Sequence, residues 1–200
     1  MPVVIDVHAA DDPRDVVHRA VQALAEGHLV VFPTETVYGV AASALHPGAV
    51  AKLHAWRGDA AGGGLTLAVK SVDDAWDYVP DMSPLAQRLA RRAWPGPLTL
   101  VMGSGHSDSL AKRLPESVQS AVAPGGTLAL RVPAHPLILS ALRLAAGPLV
   151  LTSVPNSHDG TPAASVADAL PQLGDVASLV LDDGKAKFGQ PSSVVRVAGN

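Results

Sequence analysis

Residues 29–44, LVVFPTETVYGVAASA, decide how the rest of the chain is read. Four apolar residues (Leu29, Val30, Val31, Phe32) stop at Pro33, Thr34-Glu35-Thr36 follow, and the apolar pattern resumes as Val37-Tyr38-Gly39-Val40. Proline has no N–H to give a sheet ladder, so a buried strand naturally ends at Pro33. The three residues after it place two hydroxyls and a carboxylate where the backbone turns. Open α/β sheets hold ligands at the carboxyl ends of their strands, which is where this loop stands. Taken alone, Pro-Thr-Glu-Thr also reads as an ordinary turn.

Upstream, residues 3–7 form a strand, and Asp11-Asp12-Pro13 supplies an N-cap with proline in the first turn. A helix follows, with Val16, Val17, Ala20 and Leu24 on one face, charged and polar residues on the other, and Gly27 placed to end it. Downstream, Pro47 opens a second helix over 49–54. Arg57-Gly58-Asp59 closes it into the segment 60–64, where Gly62-Gly63-Gly64 reads as a turn or as a phosphate cradle of bare amides. Further strands are expected over 65–69, 98–102, 127–132, 149–151, 177–181 and 193–197. Helices are expected over 73–78, 83–93, 136–146 and 165–170, while 110–123, interrupted by Pro115, fits neither pattern. Helices and strands alternate without a regular period, which indicates an α/β or mixed α+β sheet domain. No repeat or linker is visible, so residues 1–200 read as one domain.

Composition excludes several classes. With 48% hydrophobic and 16% charged residues the chain is ordinary globular material, and a net charge of -3 argues against a general nucleic-acid coat. The absence of cysteine removes disulfides, thiolate metal sites and cysteine nucleophiles. There is no apolar run of membrane-spanning length and no signal-like N-terminus, so a cytoplasmic protein is expected. Neither a P-loop, a G-x-S-x-G elbow nor an H-E-x-x-H pair occurs, and the histidines show no metal-ligand spacing, so no metal site is expected from the protein. What remains is a set of polar loops where apolar strands end: Thr34-Glu35-Thr36, Arg131-Val132-Pro133-Ala134-His135, Thr152-Ser153 with Asn156, and Ser192-Ser193.

VVFPTETVYGVAASA, WPGPLTLV, LALRVPAHPLI, LVLTSVPNSHDGTPAAS and PSSVVRV, in this order, resemble the YrdC/TsaC family of threonylcarbamoyl-AMP synthases. The resemblance runs from about residue 16 to 197, and it is to the form without a C-terminal extension. It implies a twisted open sheet whose concave face holds ATP, with a magnesium ion bound mainly by phosphates, and L-threonine. Threonine and bicarbonate give a carbamate that attacks the α-phosphorus of ATP and expels pyrophosphate, and the product serves tRNA modification through partner proteins. Such chemistry needs positioning and positive or hydrogen-bonding groups rather than a protein nucleophile.

Carried over residue by residue, the resemblance puts Thr34 and Tyr38 in the threonine pocket and has Arg131 present its planar donor fork to anionic groups of the ligand. Thr152, Ser153 and Asn156 fall near the nucleotide phosphates and adenosine, and Ser192 and Ser193 contribute phosphate hydrogen bonds. His135, ahead of Pro136, reads as a helix cap. Two places depart from the family pattern. Its Lys-x-Arg-Pro is here Arg57-Gly58-Asp59-Ala60: Arg57 stands in for the lysine as the catalytic cation, whereas Asp59 reverses a sign. Like charges about 4 Å apart repel by roughly 4 kcal/mol at an effective dielectric near 20. The Ser-x-Asn loop is one residue longer, as Ser153-Val154-Pro155-Asn156. A second reading therefore stays open, a diverged relative that binds nucleotide or double-stranded RNA without making the adenylate.

Overall fold

In the computed structural model, which describes residues 1–58, 65–155 and 160–198, the strand ending at Pro33 is β2 (Val30–Phe32). It is apolar throughout because both its faces are covered: Val31 packs into one apolar cluster, Val30 and Phe32 into another. Before it come β1 (Val3–Asp6) and α1 (Pro13–Ala25). Asp12 caps α1 by accepting from the Arg14 N–H at 2.9 Å, and the buried residues are Val16, Val17, Ala20 and Leu24, the face the spacing predicts. Gly27 follows in the left-handed region at φ 83°, its N–H on the Leu24 carbonyl.

Beyond the polar loop, β3 (Gly39–Ser43) runs antiparallel to β2, and α2 (Pro47–Arg57) extends past the expected end. Then come β4 (Thr66–Ala68), α3 (Val72–Tyr78), α4 (Pro84–Ala93) capped by Ser83, and β5 (Leu98–Gly103). The stretch around Pro115 resolves into a 3-10 turn at Leu110–Arg113 and α5 (Glu116–Val122), with the proline at the N-cap. The remaining elements are β6 (Thr127–Arg131), α6 (Pro136–Leu144), β7 (Leu149–Ser153), α7 (Val166–Leu173), β8 (Leu179–Asp182) and β9 (Ser193–Arg196). Two expected boundaries move for tertiary reasons. β7 takes in Thr152 and Ser153 because they pair with Val40 and Gly39 of β3. The last helix continues to Leu173, which is buried in the core.

Among the described residues nine strands make one mixed open sheet in the order β1-β8-β2-β3-β7-β4-β6-β5-β9. β3 can approach β7 closely because Gly39 has no side chain; a β-carbon there would lie 2.9 Å from the Leu151 side chain. One face of the sheet is covered by α2, α3, α4, α5 and α7, and its cluster contains Val31, Leu67, Leu100, Leu130 and Val150. On the other face α1 and α6 pack over β8, β2, β3 and the start of β7, with Phe32, Ala41, Leu149 and Leu181 between them. Two helices cannot cover nine strands, and the second half of this face is left open.

Candidate functional site

The uncovered half of the sheet is the floor of a cavity of about 580 Å³. Strand alternation selects what faces it. On β6, Leu128 and Leu130 enter the core while Ala129 and Arg131 face the cavity. Thr66 of β4, Thr99 and Val101 of β5, and Val194 and Arg196 of β9 face it by the same rule, with Leu67, Leu100 and Val195 on the helical side. The loop residues Thr34 and Ser192, Arg57 at the end of α2, and Thr152 and Ser153 at the end of β7 also line the wall.

Three guanidinium groups, Arg57, Arg131 and Arg196, lie in this wall with a set of threonine and serine hydroxyls. No carboxylate is among the described lining residues. Oriented hydroxyls and arginine forks without competing acidic groups favour an anionic ligand. Among the described residues the hydroxyls of Thr66, Thr152 and Ser153 make no hydrogen bond, which leaves them available to it.

One corner of the cavity is tightly organised. Arg131, buried at the end of β6, donates from Nη2 to Glu35 Oε1 at 2.7 Å and to Thr36 Oγ1 at 2.9 Å, and from Nε to the Gly96 carbonyl at 3.3 Å. The second oxygen of Glu35 accepts from the Ala134 N–H at 3.0 Å. Thr34 Oγ1 donates to the Val37 carbonyl at 2.6 Å, which spends its proton, so across the 2.7 Å contact between the two threonines Thr36 is the donor. A directed chain results, from Arg131 through Thr36 and Thr34 to Val37, with each link polarising the next. Thr34 thus lines the cavity with a hydroxyl already committed to holding the loop, since it also accepts from the Thr36 and Val37 N–H groups at 3.1 Å. Arg131 lines the cavity, and its Nη1 has no hydrogen-bond partner among the described residues.

Of the residues singled out from sequence, Thr34, Arg57, Arg131, Thr152, Ser153 and Ser192 come together around the cavity. Ser192 is fixed there by a 2.8 Å hydrogen bond to Thr99 Oγ1. Ser193 is not in the wall: it pairs with Leu98 in the β5–β9 ladder, one residue out of phase with Ser192 and Val194. Tyr38 is buried away from the cavity lining and donates its hydroxyl to the Gly184 carbonyl at 2.6 Å, while accepting from the Asp183 N–H at 3.2 Å. Burial raises its pKa above the usual tyrosine range, and the charges of Asp182 and Asp183 add to this. Asn156, Asp59 and the triplet Gly62-Gly63-Gly64 lie outside the described residues.

His135 caps α6 as expected, its Nδ1 accepting from the Leu137 N–H at 3.4 Å. That contact requires the neutral tautomer with the proton on Nε2, which lies 3.1 Å from Asp183 Oδ2. The other oxygen of Asp183 is 3.3 Å from His8 Nε2. The turn after β8 is thereby tied to the turn after β6.

Sequence reading missed Glu35 as a brace, and Thr66, Thr99, Thr127 and Arg196 as wall residues. For the last group the sequence offers only strand alternation, which separates two faces without saying which of them is open.

The class follows from fold and wall: a mixed α/β protein with an anion-compatible cavity of small-molecule size. The sequence matches the Sua5_yciO_yrdC family model, described as telomere recombination, over residues 22–200, and the chain belongs to that family. It is 34% identical over 173 residues to the threonylcarbamoyl-AMP synthase of Pyrococcus abyssi, covering 85% of this chain and 47% of that one. The structure of P. abyssi Sua5 complexed with L-threonine matches with a TM-score of 0.81 at 27% identity, covering 98% of this chain and 54% of the other. YciO of E. coli shares the fold with a TM-score of 0.82 at 20% identity, over 100% and 92% of the two chains. The chain spans about half the length of the first curated relatives it matches.

Proposed function

We propose that this protein makes threonylcarbamoyl-AMP from L-threonine, bicarbonate and ATP. The observation that carries the reading is the cavity wall, with its three guanidiniums, its unpartnered hydroxyls and no described carboxylate. Relatives named threonylcarbamoyl-AMP synthase, and a related structure carrying L-threonine, support it. A cavity of about 580 Å³ suits small substrates.

In this reading the corner made by Thr34, Glu35, Thr36 and Arg131 receives threonine, with Nη1 of Arg131 on its carboxylate. The amine and bicarbonate condense to the carbamate with loss of water. A carbamate oxygen then forms a bond to the α-phosphorus of ATP as the bond from phosphorus to the pyrophosphate oxygen breaks. Thr152, Ser153 and Ser192 hold the nucleotide, and Arg57 faces the charge that develops on the leaving group. Because the described wall supplies no carboxylate, magnesium enters with ATP as part of the substrate, held by its phosphates.

The test is pyrophosphate release by the pure protein with MgATP. It is expected to require threonine and bicarbonate together, and release that ignores threonine would overturn the assignment.

A further inference from the structure

The three cavity arginines are not equivalent. Arg131 is neutralised by Glu35 at 2.7 Å. Arg57 ends α2 and has a partner of its own. The Arg196 side chain has no hydrogen bond or ion pair among the described residues, yet it lines the cavity from an exposed position on the edge strand β9. Its direction is fixed by the ladder: Val195 packs against the core, which turns Val194 and Arg196 to the concave face.

Register places it further. Val101 of β5 is paired with Ala129 on one side and with Arg196 on the other. The adjacent row of the floor contains Arg131, Thr99 and Val194. Arg196 therefore stands two strands across and two residues along from Arg131, about 12 Å away at ordinary sheet spacings. Among the described residues, uncompensated positive charge lies at the β9 edge of the floor and a neutralised pair toward its middle, on β6. An elongated ligand with one highly charged end is oriented by such a wall, and among the proposed substrates that end is the polyphosphate of ATP.

We infer that Arg196 is a ligand-anchoring residue that binds the polyphosphate of the nucleotide from β9. The inference rests on the proposed function for the identity of the nucleotide, but the anion site can be probed without it. Calorimetric titrations with ATP, adenosine and inorganic tripolyphosphate are made on the wild type, on Arg196→Gln, on Arg196→Lys, and on Arg143→Gln, which removes an exposed charge from α6 outside the cavity. Loss of a charge-assisted contact weakens binding about tenfold or more. Arg196→Gln is expected to lose that factor for ATP and tripolyphosphate with adenosine unchanged, Arg196→Lys to recover part of it, and Arg143→Gln to bind as the wild type. Equal binding of ATP by Arg196→Gln and the wild type overturns the role of Arg196 and leaves the synthase reading standing. An equal loss in Arg143→Gln, or a matching loss for adenosine, also overturns it. Tripolyphosphate binding that depends on Arg196, in a protein that does not bind ATP, supports the anion site and removes the synthase reading. A wild type that binds neither overturns both.

Discussion

Glu35 and Arg131 are 96 residues apart in the chain and 2.7 Å apart in space. Both are buried, and taking two charges out of water is costly, so their association holds only because the remaining polar atoms are also satisfied. Thr36, Gly96 and Ala134 supply those contacts. Removing one partner leaves an uncompensated buried charge, which typically costs about 3–5 kcal/mol. Glu35→Ala is therefore expected to lower the unfolding free energy by about that amount in urea denaturation. Replacing both residues with methionine should restore much of the loss; a Glu35→Ala variant within about 1 kcal/mol of the wild type would show that the pair is not the brace described here. Composition shows a glutamate and an arginine, but a contact across 96 residues has no local signal. The direction of the loop could be read from Pro33, whereas the destination of its carboxylate could not.

Among elements, the connection from β8 to β9 is the least obvious from sequence and the most consequential. It is bound to the loop after β2 by the Phe188 N–H on the Glu35 carbonyl and by the Tyr38 hydroxyl on Gly184, and to the start of α6 through Asp183 and His135. It then delivers Ser192 to Thr99. Burial lowers the pKa of His135 from its ordinary 6.5, against the pull of the Asp183 and Glu35 charges; His8, exposed, is on the far side of Asp183. A histidine with a lowered folded pKa binds fewer protons when folded than when unfolded, so stability rises with pH in the window between the two values. The contribution is complete above about pH 6.5 and is lost as pH falls below it. His135→Gln should flatten this part of the profile of urea midpoint against pH, and Asp183→Asn, which removes a charge favouring the imidazolium, should deepen it. Superimposable profiles for His135→Gln and the wild type would contradict the assignment. Elements with local punctuation were readable in advance: α1 with Asp12 and Gly27, α4 with Ser83, and β2 ending at Pro33. β7 was read two residues short because Thr152 and Ser153 are polar, and only the β3 ladder makes them strand.

At the scale of the molecule, the cavity exists because, among the described residues, seven α-helices are divided five to two over nine strands. Helix and strand positions in the sequence indicate a mixed sheet, but the order β7-β4-β6-β5-β9 joins strands that, apart from β5 and β6, are not neighbours in the chain. For that reason the loop residues around the site were legible while its floor was not. Thr66, Thr99 and Arg196 become site residues only when their strands are paired and the opposite face is filled. Tyr38 shows the reverse: next to the site in sequence, it is turned by the same pairing toward Gly184. In the proposed function threonine and nucleotide share the concave face, threonine at the Thr34–Arg131 corner and phosphates toward Ser192 and Arg196. A crystal structure of the protein grown with L-threonine and a non-hydrolysable ATP analogue tests this most directly. Ligand density spanning the cavity floor, with a carboxylate within hydrogen-bonding distance of Arg131 Nη1, is the predicted result; density elsewhere on the protein, with this cavity holding only solvent, would contradict it.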